Sequence, residues 1–268
     1  NVHFCETFNG LMTYQSSNLN VKNSIFDRGT LSSFYYGMSI CNGNNIRIEN
    51  NEIKKYSIGV KIEYVYQGLE FYNNHLHNNT NFGIYSIHSG YYNYPGNPNK
   101  IINNRIIDNY YGLYSYTNSG VYYGRFLQFE DNLVKSNSYA GIYCSSNCQD
   151  WTVENNTFDG DSSDTDYGWY GGSNIHRTKF GNNTFTGHED YDFRFQSCSC
   201  TGTNAIKFFY NTYSTISVSG STQIDIYNEL NVKTVEEDSD PFSNVDIEIK
   251  DSSKTYYETA HWGGSDAL

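Results

Sequence analysis

The chain has 268 residues and a net charge of −12, from 29 acidic against 17 basic side chains, with 27 Tyr, 16 Phe and only 3 Pro. The charge argues against nucleic acid and against unaided binding of polyanions. The aromatic content argues against disorder, and no apolar run approaches the roughly 18 residues of a membrane span. The length suits one domain with a continuous core. No secretory leader heads the sequence, so either one was removed or export does not apply.

Residues 1–17 hold Cys5, show no helical periodicity and read as an irregular entry segment without a capping helix. A phrase then recurs: apolar, any, Asn, Asn, any, apolar. It reads Ile48-Glu49-Asn50-Asn51-Glu52-Ile53, then Phe71 to Leu76, Ile101 to Ile106, Val153 to Phe158 and Phe180 to Phe185, with looser copies at Val21 to Phe26, Phe129 to Val134 and Phe208 to Tyr213. Its second polar position falls at Ser24, Asn51, Asn74, Asn104, Asn132, Asn156, Asn183 and Asn211, in steps of 27, 23, 30, 28, 24, 27 and 28 residues. Such a period predicts a solenoid, one coil per repeat. Stacked coils place each second Asn above the last, roughly 4.8 Å away, close enough for buried amides to form a ladder. A second recurrence, Gly-apolar-any, follows at Gly37, Gly59, Gly83, Gly112, Gly141 and Gly168. Each coil is therefore expected to carry a strand, an Asn turn, a short strand, a Gly turn and another strand.

Three connections are longer and rich in Tyr: Tyr64 to Gly68, His88 to Asn99 and Tyr116 to Gly124. All leave after the Gly-apolar strand and are expected at one corner. From about residue 221 the repeat decays into alternating stretches, Gln223 to Tyr227 and Asn244 to Lys250, around an acidic loop. The tail from His261 to Leu268 has no periodicity and is expected to dock, on a neighbouring molecule in the sharper reading. The expected domains are an entry segment at 1–17, coils at 18–220 and terminal strands and tail at 221–268.

These repeats resemble the right-handed parallel β-helix, the family that includes pectate lyases, phage tailspikes and repeat proteins of archaeal surfaces. The resemblance implies an all-β solenoid of about eight to nine coils with an internal Asn ladder of Asn51, Asn74, Asn104, Asn132, Asn156, Asn183 and Asn211. The style of repeat also looks like disaggregatase-like proteins and the tubular cell sheath of methanogenic archaea, which implies self-assembly. A fold alone does not specify an activity.

Four constellations are candidates for chemistry. One residue past the post-Gly apolar position stand Lys61, Tyr85, Tyr114, Tyr143, Tyr170 and Arg194, a column up one outer face. With Tyr91, Tyr92 and Tyr94 in the adjoining loop it reads as a contact surface for sugars or a neighbouring subunit, or as stacking that stabilises the solenoid. The acidic run Asp159, Asp161 and Asp164 is spaced like a calcium loop but lacks its closing Glu, so a solvated loop is preferred and calcium is the one candidate cofactor. Six cysteines, Cys5, Cys41, Cys144, Cys148, Cys198 and Cys200, favour disulfides in an oxidising compartment. Cys144 and Cys148 are within reach of one another, whereas the short Cys-x-Cys span predicts separate partners for Cys198 and Cys200. A bond from Cys5 or Cys200 to another chain would lock an assembly. The fourth is catalytic: β-helix lyases and hydrolases work through carboxylates and a basic residue. The nearest imitation is Asp164, Asp166, Asp192 and Arg194, with His176 or Arg177 joining, and a structural ion pair is preferred. Sequons at Asn78, Asn155 and Asn182 are compatible with glycosylation.

The expectation is a secreted structural protein at the cell surface, a glycoprotein subunit of an extracellular sheath, envelope layer or fibre. Its partners are copies of itself and glycans, with no nucleic acid and no membrane span. The alternative is a carbohydrate-active enzyme or a sugar-binding module.

Overall fold

The structure, a computed structural model, describes residues 3–5, 9–29, 35–87, 89, 97–117, 126–160, 166–196, 198–227, 249–250 and 255–256, with backbone alone at 3–5, 249–250 and 255–256. Residues 1–227 form one compact unit and 228–268 a second. The first unit is a parallel β-helix. One coil shows the plan: Phe82–Ile87 lies in sheet B, Asn99–Ile102 in sheet C and Arg105–Ile107 in sheet A, before Tyr111–Tyr116 returns to sheet B. Among the described residues sheet A has eight strands and sheets B and C nine each, all parallel within this unit. The coils run past the limits drawn from the sequence at both ends. His3–Cys5 pairs with Ile25–Asp27, Leu11–Tyr14 with Tyr36–Cys41, and Ile224–Tyr227 with Ile206–Phe209. Among the described residues of the second unit is an antiparallel pair, Ile249–Lys250 with Thr255–Tyr256. The acidic loop and the tail from His261 to Leu268 lie outside the described residues.

In-register stacking makes the core a set of columns. Sheet A sends Phe26, Ile53, Leu76, Ile106, Val134, Phe158 and Phe185 inward, one per coil, all buried. Sheet C sends in Ile48, Phe71, Ile101, Phe129, Val153, Phe180 and Phe208. Late coils substitute rings for aliphatics. The Phe158 and Phe185 rings stack 4.4 Å apart, and Phe193 and Phe208 lie 4.6 Å apart, an arrangement that adds to simple area burial.

The corner between sheets C and A carries the Asn ladder. The first residue of each pair takes the left-handed conformation, as at Asn50 (φ 56°), Asn73 (54°), Asn103 (56°) and Asn155 (56°), which an Asn tolerates better than most residues. The second points inward. The Asn74 side-chain N–H₂ donates to Asn104 Oδ1 (3.1 Å) and to the Ile48 carbonyl (3.0 Å), while the Asn74 backbone N–H donates to the same Oδ1 (2.8 Å). The pattern repeats from Asn51 through Asn132, Asn156 and Asn183 to Asn211. Every amide satisfies backbone that the turn would otherwise leave unpaired in the interior.

The expected Gly turn is a different device. Gly37, Gly59, Gly83, Gly112, Gly141 and Gly168 are each the second residue of a sheet B strand. A Cβ on Gly83 would come within 2.7 Å of the Gly112 carbonyl oxygen. The residue is required by the close approach of neighbouring coils, not by a turn.

Candidate functional site

The outer face of sheet B bears the largest ordered constellation. Backbone register aligns Lys61, Tyr85, Tyr114, Tyr143, Tyr170 and Arg194 in one column. Beside it, Phe82, Tyr111, Ala140, Tyr167 and Tyr191 form a second, with Tyr110 and Tyr139 adjoining. The Tyr114 and Tyr143 rings stack at 5.1 Å and 17°, and Tyr143 and Tyr170 at 4.7 Å and 27°. Tyr85 meets Tyr114 edge-on at 5.4 Å. Arg194 closes one end: its guanidinium lies 5.1 Å from the Tyr170 centroid and 5.3 Å from that of Tyr167, and donates to the Tyr167 hydroxyl at 2.6 Å. Lys61 at the other end pairs with Glu63 at 2.7 Å.

Rings half-buried against one another resist ionisation. Burial, then the neighbouring phenols Tyr170 and Tyr114, pushes the Tyr143 hydroxyl up to about 12. Burial and a hydrogen bond to Asp190 push Tyr167 up to about 12 against the opposing pull of Arg194. Tyr111 is raised further by burial and by Tyr110 and Tyr139. Tyr111, Tyr143 and Tyr167 are therefore uncharged at any physiological pH, between the charged ends Lys61 and Arg194. Tyr91, Tyr92 and Tyr94 lie outside the described residues.

The described members of the catalytic grouping, Asp166, Asp192 and Arg194, each face partners of their own. Asp192 and Arg194 share the strand Tyr191–Phe195 but diverge. Asp192 is buried and accepts from the Ser214 backbone N–H (2.6 Å) and hydroxyl (2.9 Å) and from the Thr215 N–H (3.0 Å), with His188 Nδ1 at 2.9 Å from its other oxygen. Burial alone would raise its pKa, but the His188 contact and the Ser214 and Thr215 N–H groups outweigh it and hold the carboxyl at about 2. Asp166 is buried and accepts from the Glu189 N–H at 2.7 Å. Arg177 is held by both carboxylate oxygens of Asp150 (2.6 and 2.9 Å) and by Asn204. These are turn-fixing contacts, made because a polar group taken inside must find partners. Asp164 lies outside the described residues.

Of the calcium candidates, Asp161 and Asp164 lie outside the described residues, and Asp159 pairs with Lys135 at 2.5 Å on the surface of sheet A. One group of potential metal ligands does converge among the described residues, and the sequence reading missed it: Glu52, His75 and His77, whose ligand atoms lie within 4.8 Å of one another. The sequence carried a signal, a His-x-His pair on one strand, but Glu52 joins only once the coils are in register.

Cys144 pairs with Cys148 (Cα–Cα 6.2 Å). Cys198 and Cys200 form a disulfide-like pair (Cα–Cα 5.3 Å), against the expectation of separate partners. Cys41 is free, its thiol raised by burial and by Glu63. The side chain of Cys5 lies outside the described residues. Asn78, Asn155 and Asn182 are all exposed left-handed corner residues (φ 54°, 56° and 51°), and the Thr of each sequon is exposed too.

A second ladder also went unread. Asn79, Asn109 and Asn137 are buried at the corner between sheets A and B. Asn79 donates to Asn109 Oδ1 (2.9 Å) and Asn109 to Asn137 Oδ1 (3.0 Å). Each lies five residues after a first-ladder Asn, a spacing visible in the sequence.

No curated protein and no solved structure matches this chain. A family model described as the right-handed beta helix region matches residues 1–158 of the 268. That match spans more than half of the chain and accords with the parallel coils and buried Asn stacks, and the chain belongs to the right-handed β-helix family.

Proposed function

We propose that this protein is a secreted structural subunit that associates with copies of itself, side by side, through the tyrosine face of sheet B, in an extracellular sheath, envelope layer or fibre. The β-helix fold serves both structural proteins and carbohydrate-active enzymes, so the choice rests on the surface. The observation that carries it is how the tyrosines spend their rings. Tyr114, Tyr143 and Tyr170 stack face to face along the solenoid, and Arg194 lies over the rings at the end. Rings so stacked cover one another's faces; Tyr114 and Tyr143 remain partly exposed, while Tyr170 is buried with its hydroxyl on Gln196. A sugar platform needs a free ring face, whereas protein–protein contacts use Tyr for its large, stiff area with a polar tip. The divergence of Asp192 from Arg194 removes the strongest argument for the enzyme reading.

Secretion draws support from two cysteine pairs and from sequons whose Asn and Thr are exposed. End-to-end stacking adds to the side contact. Ile216, Val218 and Ile226 occupy core-facing positions in the last described strands of sheets B and C and are exposed, and a sheet edge can accept another strand.

Sedimentation velocity of the full chain across a concentration series tests the reading. Self-association is expected, weakened in a Tyr114→Ser/Tyr143→Ser variant that keeps its far-UV spectrum. A monomer at all concentrations, or equal association by the variant, refutes the tyrosine face as the contact. Binding of a neutral or uronic polysaccharide by that monomer would move the assignment to the sugar-binding alternative.

A further inference from the structure

We propose that Glu52, His75 and His77 form a binding site for a divalent transition-metal ion, zinc being the reference case, on the outer face of sheet A. The site is built from two coils. His75 and His77 are alternate residues of the strand His75–His77, so both side chains leave the same face. Register puts Glu52 directly beside His75 on the preceding coil. The two imidazoles stack with centroids 4.2 Å apart, and His77 Nε2 already lies 3.0 Å from Glu52 Oε1. One ligand atom from each residue falls within 4.8 Å of the others. Ligands about 2.0–2.1 Å from a tetrahedral ion are separated by roughly 3.3 Å, so closure requires side-chain rotations on the order of 1.5 Å at the widest pair and no backbone movement.

The surroundings suit a soft-to-borderline cation better than calcium. Two imidazoles and one carboxylate are a nitrogen-rich set, which selects zinc, nickel or copper over calcium or magnesium. Asn78 supplies an outer partner, its side-chain nitrogen 2.8 Å from His77 Nδ1. Rotation of that amide presents its oxygen instead, which would accept from Nδ1–H while Nε2 faces the ion. Lys54 donates to Glu52 at 2.7 Å and would be displaced, but it keeps Asp27 at 3.7 Å. Three protein ligands leave a fourth position open, on a surface that a water or a ligand from a second copy can reach.

Calorimetric titration of the metal-free full chain with zinc chloride at pH 7.5 tests the site, with histidine ring resonances followed by NMR. One equivalent is expected, with the largest shifts at His75 and His77. His75→Ala and His77→Ala should each weaken binding by more than about tenfold, and Glu52→Gln should weaken it measurably. All three side chains are on the outer face, so the variants are expected to keep the far-UV spectrum of the parent. The proposal is overturned if the wild-type chain takes up no zinc below millimolar concentration, or if both His variants bind as the wild type does. Zinc held elsewhere, with unshifted His75 and His77 resonances, also overturns it.

Discussion

The two corners that flank sheet C could hardly differ more. Where sheet C turns into sheet A, two residues always make the connection, as at Asn50 and Asn51 between Glu49 and Glu52, or Asn103 and Asn104 between Ile102 and Arg105. Where sheet B turns into sheet C, the connection ranges from two residues, Asn42 and Gly43, to the eleven of 88–98. The constant corner is held by an amide ladder that ties each coil to its neighbours through both side chain and backbone. An extra residue there would misplace a buried donor and acceptor in three coils at once. Among the described residues the other corner has no continuous ladder, and its length varies. It carries the cysteine pairs, Cys144 with Cys148 and Cys198 with Cys200, and the Tyr-rich connections. Repetition that stabilises one corner liberates the other for variation, as loops do on a rigid scaffold.

Insertion breaks the comparison most sharply. One Gly placed between Asn103 and Asn104 should abolish cooperative unfolding, read by urea titration of far-UV circular dichroism. The same insertion after the exposed Gly202, in the variable corner, should leave the midpoint nearly unchanged. Equal effects would show that the ladder does not enforce the constant length.

Asn104→Leu comes next. It removes the acceptor of the Asn74 side chain and backbone N–H and the donor to the Phe71 carbonyl. Each buried group left unpaired costs about 1–3 kcal/mol, so a loss on the order of 3 kcal/mol or more is expected in the same titration. Asn109→Leu should cost a similar amount, because the second ladder is bonded in the same way. Asn103→Ser, at the exposed residue beside it, should cost under about 1 kcal/mol.

Acid sharpens the contrast at Asp192, which occupies the glycine position of its coil and holds the Ser214–Thr215 turn. Its folded pKa of about 2 lies below the ordinary 3.8. The ionised carboxylate therefore stabilises the fold fully above pH 4, and this contribution is lost as the pH falls from 4 towards 2. The shift corresponds to on the order of 2 kcal/mol. Asp192→Asn should flatten that part of the stability–pH curve; an unchanged slope would contradict the assignment.

The smallest effect is spectroscopic. Tyr143 and Tyr167, raised to about 12, should titrate later than an ordinary tyrosine of pKa about 10 in absorbance at alkaline pH. Since their folded pKa values exceed the ordinary 10, they contribute stability below pH 10 that disappears as the pH rises through 12. A single tyrosine transition near 10 in the folded protein would argue against the stacked face.

The repeated Asn-Asn phrase determined the architecture by itself. A side chain that bonds to its own copy one coil away demands a period, and a period of one coil leaves an observable spacing. The Tyr85–Tyr114–Tyr143–Tyr170 column was legible for the same reason, since residues at fixed offset from a repeat stack at fixed height. Tertiary structure alone decided everything that depends on direction rather than spacing. Asp192 and Arg194 are two apart on one strand, yet Asp192 turns in to bind backbone N–H groups while Arg194 lies over rings outside. Cys198 lies against Cys200, two residues on, in a stretch with no repeat to predict it. Glu52 and His77 are 25 residues apart in sequence and 3.0 Å apart in space. A coil of 23 residues between Asn51 and Asn74 brings them together, and only the register of two strands, set by the buried ladder beside them, makes that coincidence exact enough to bind an ion.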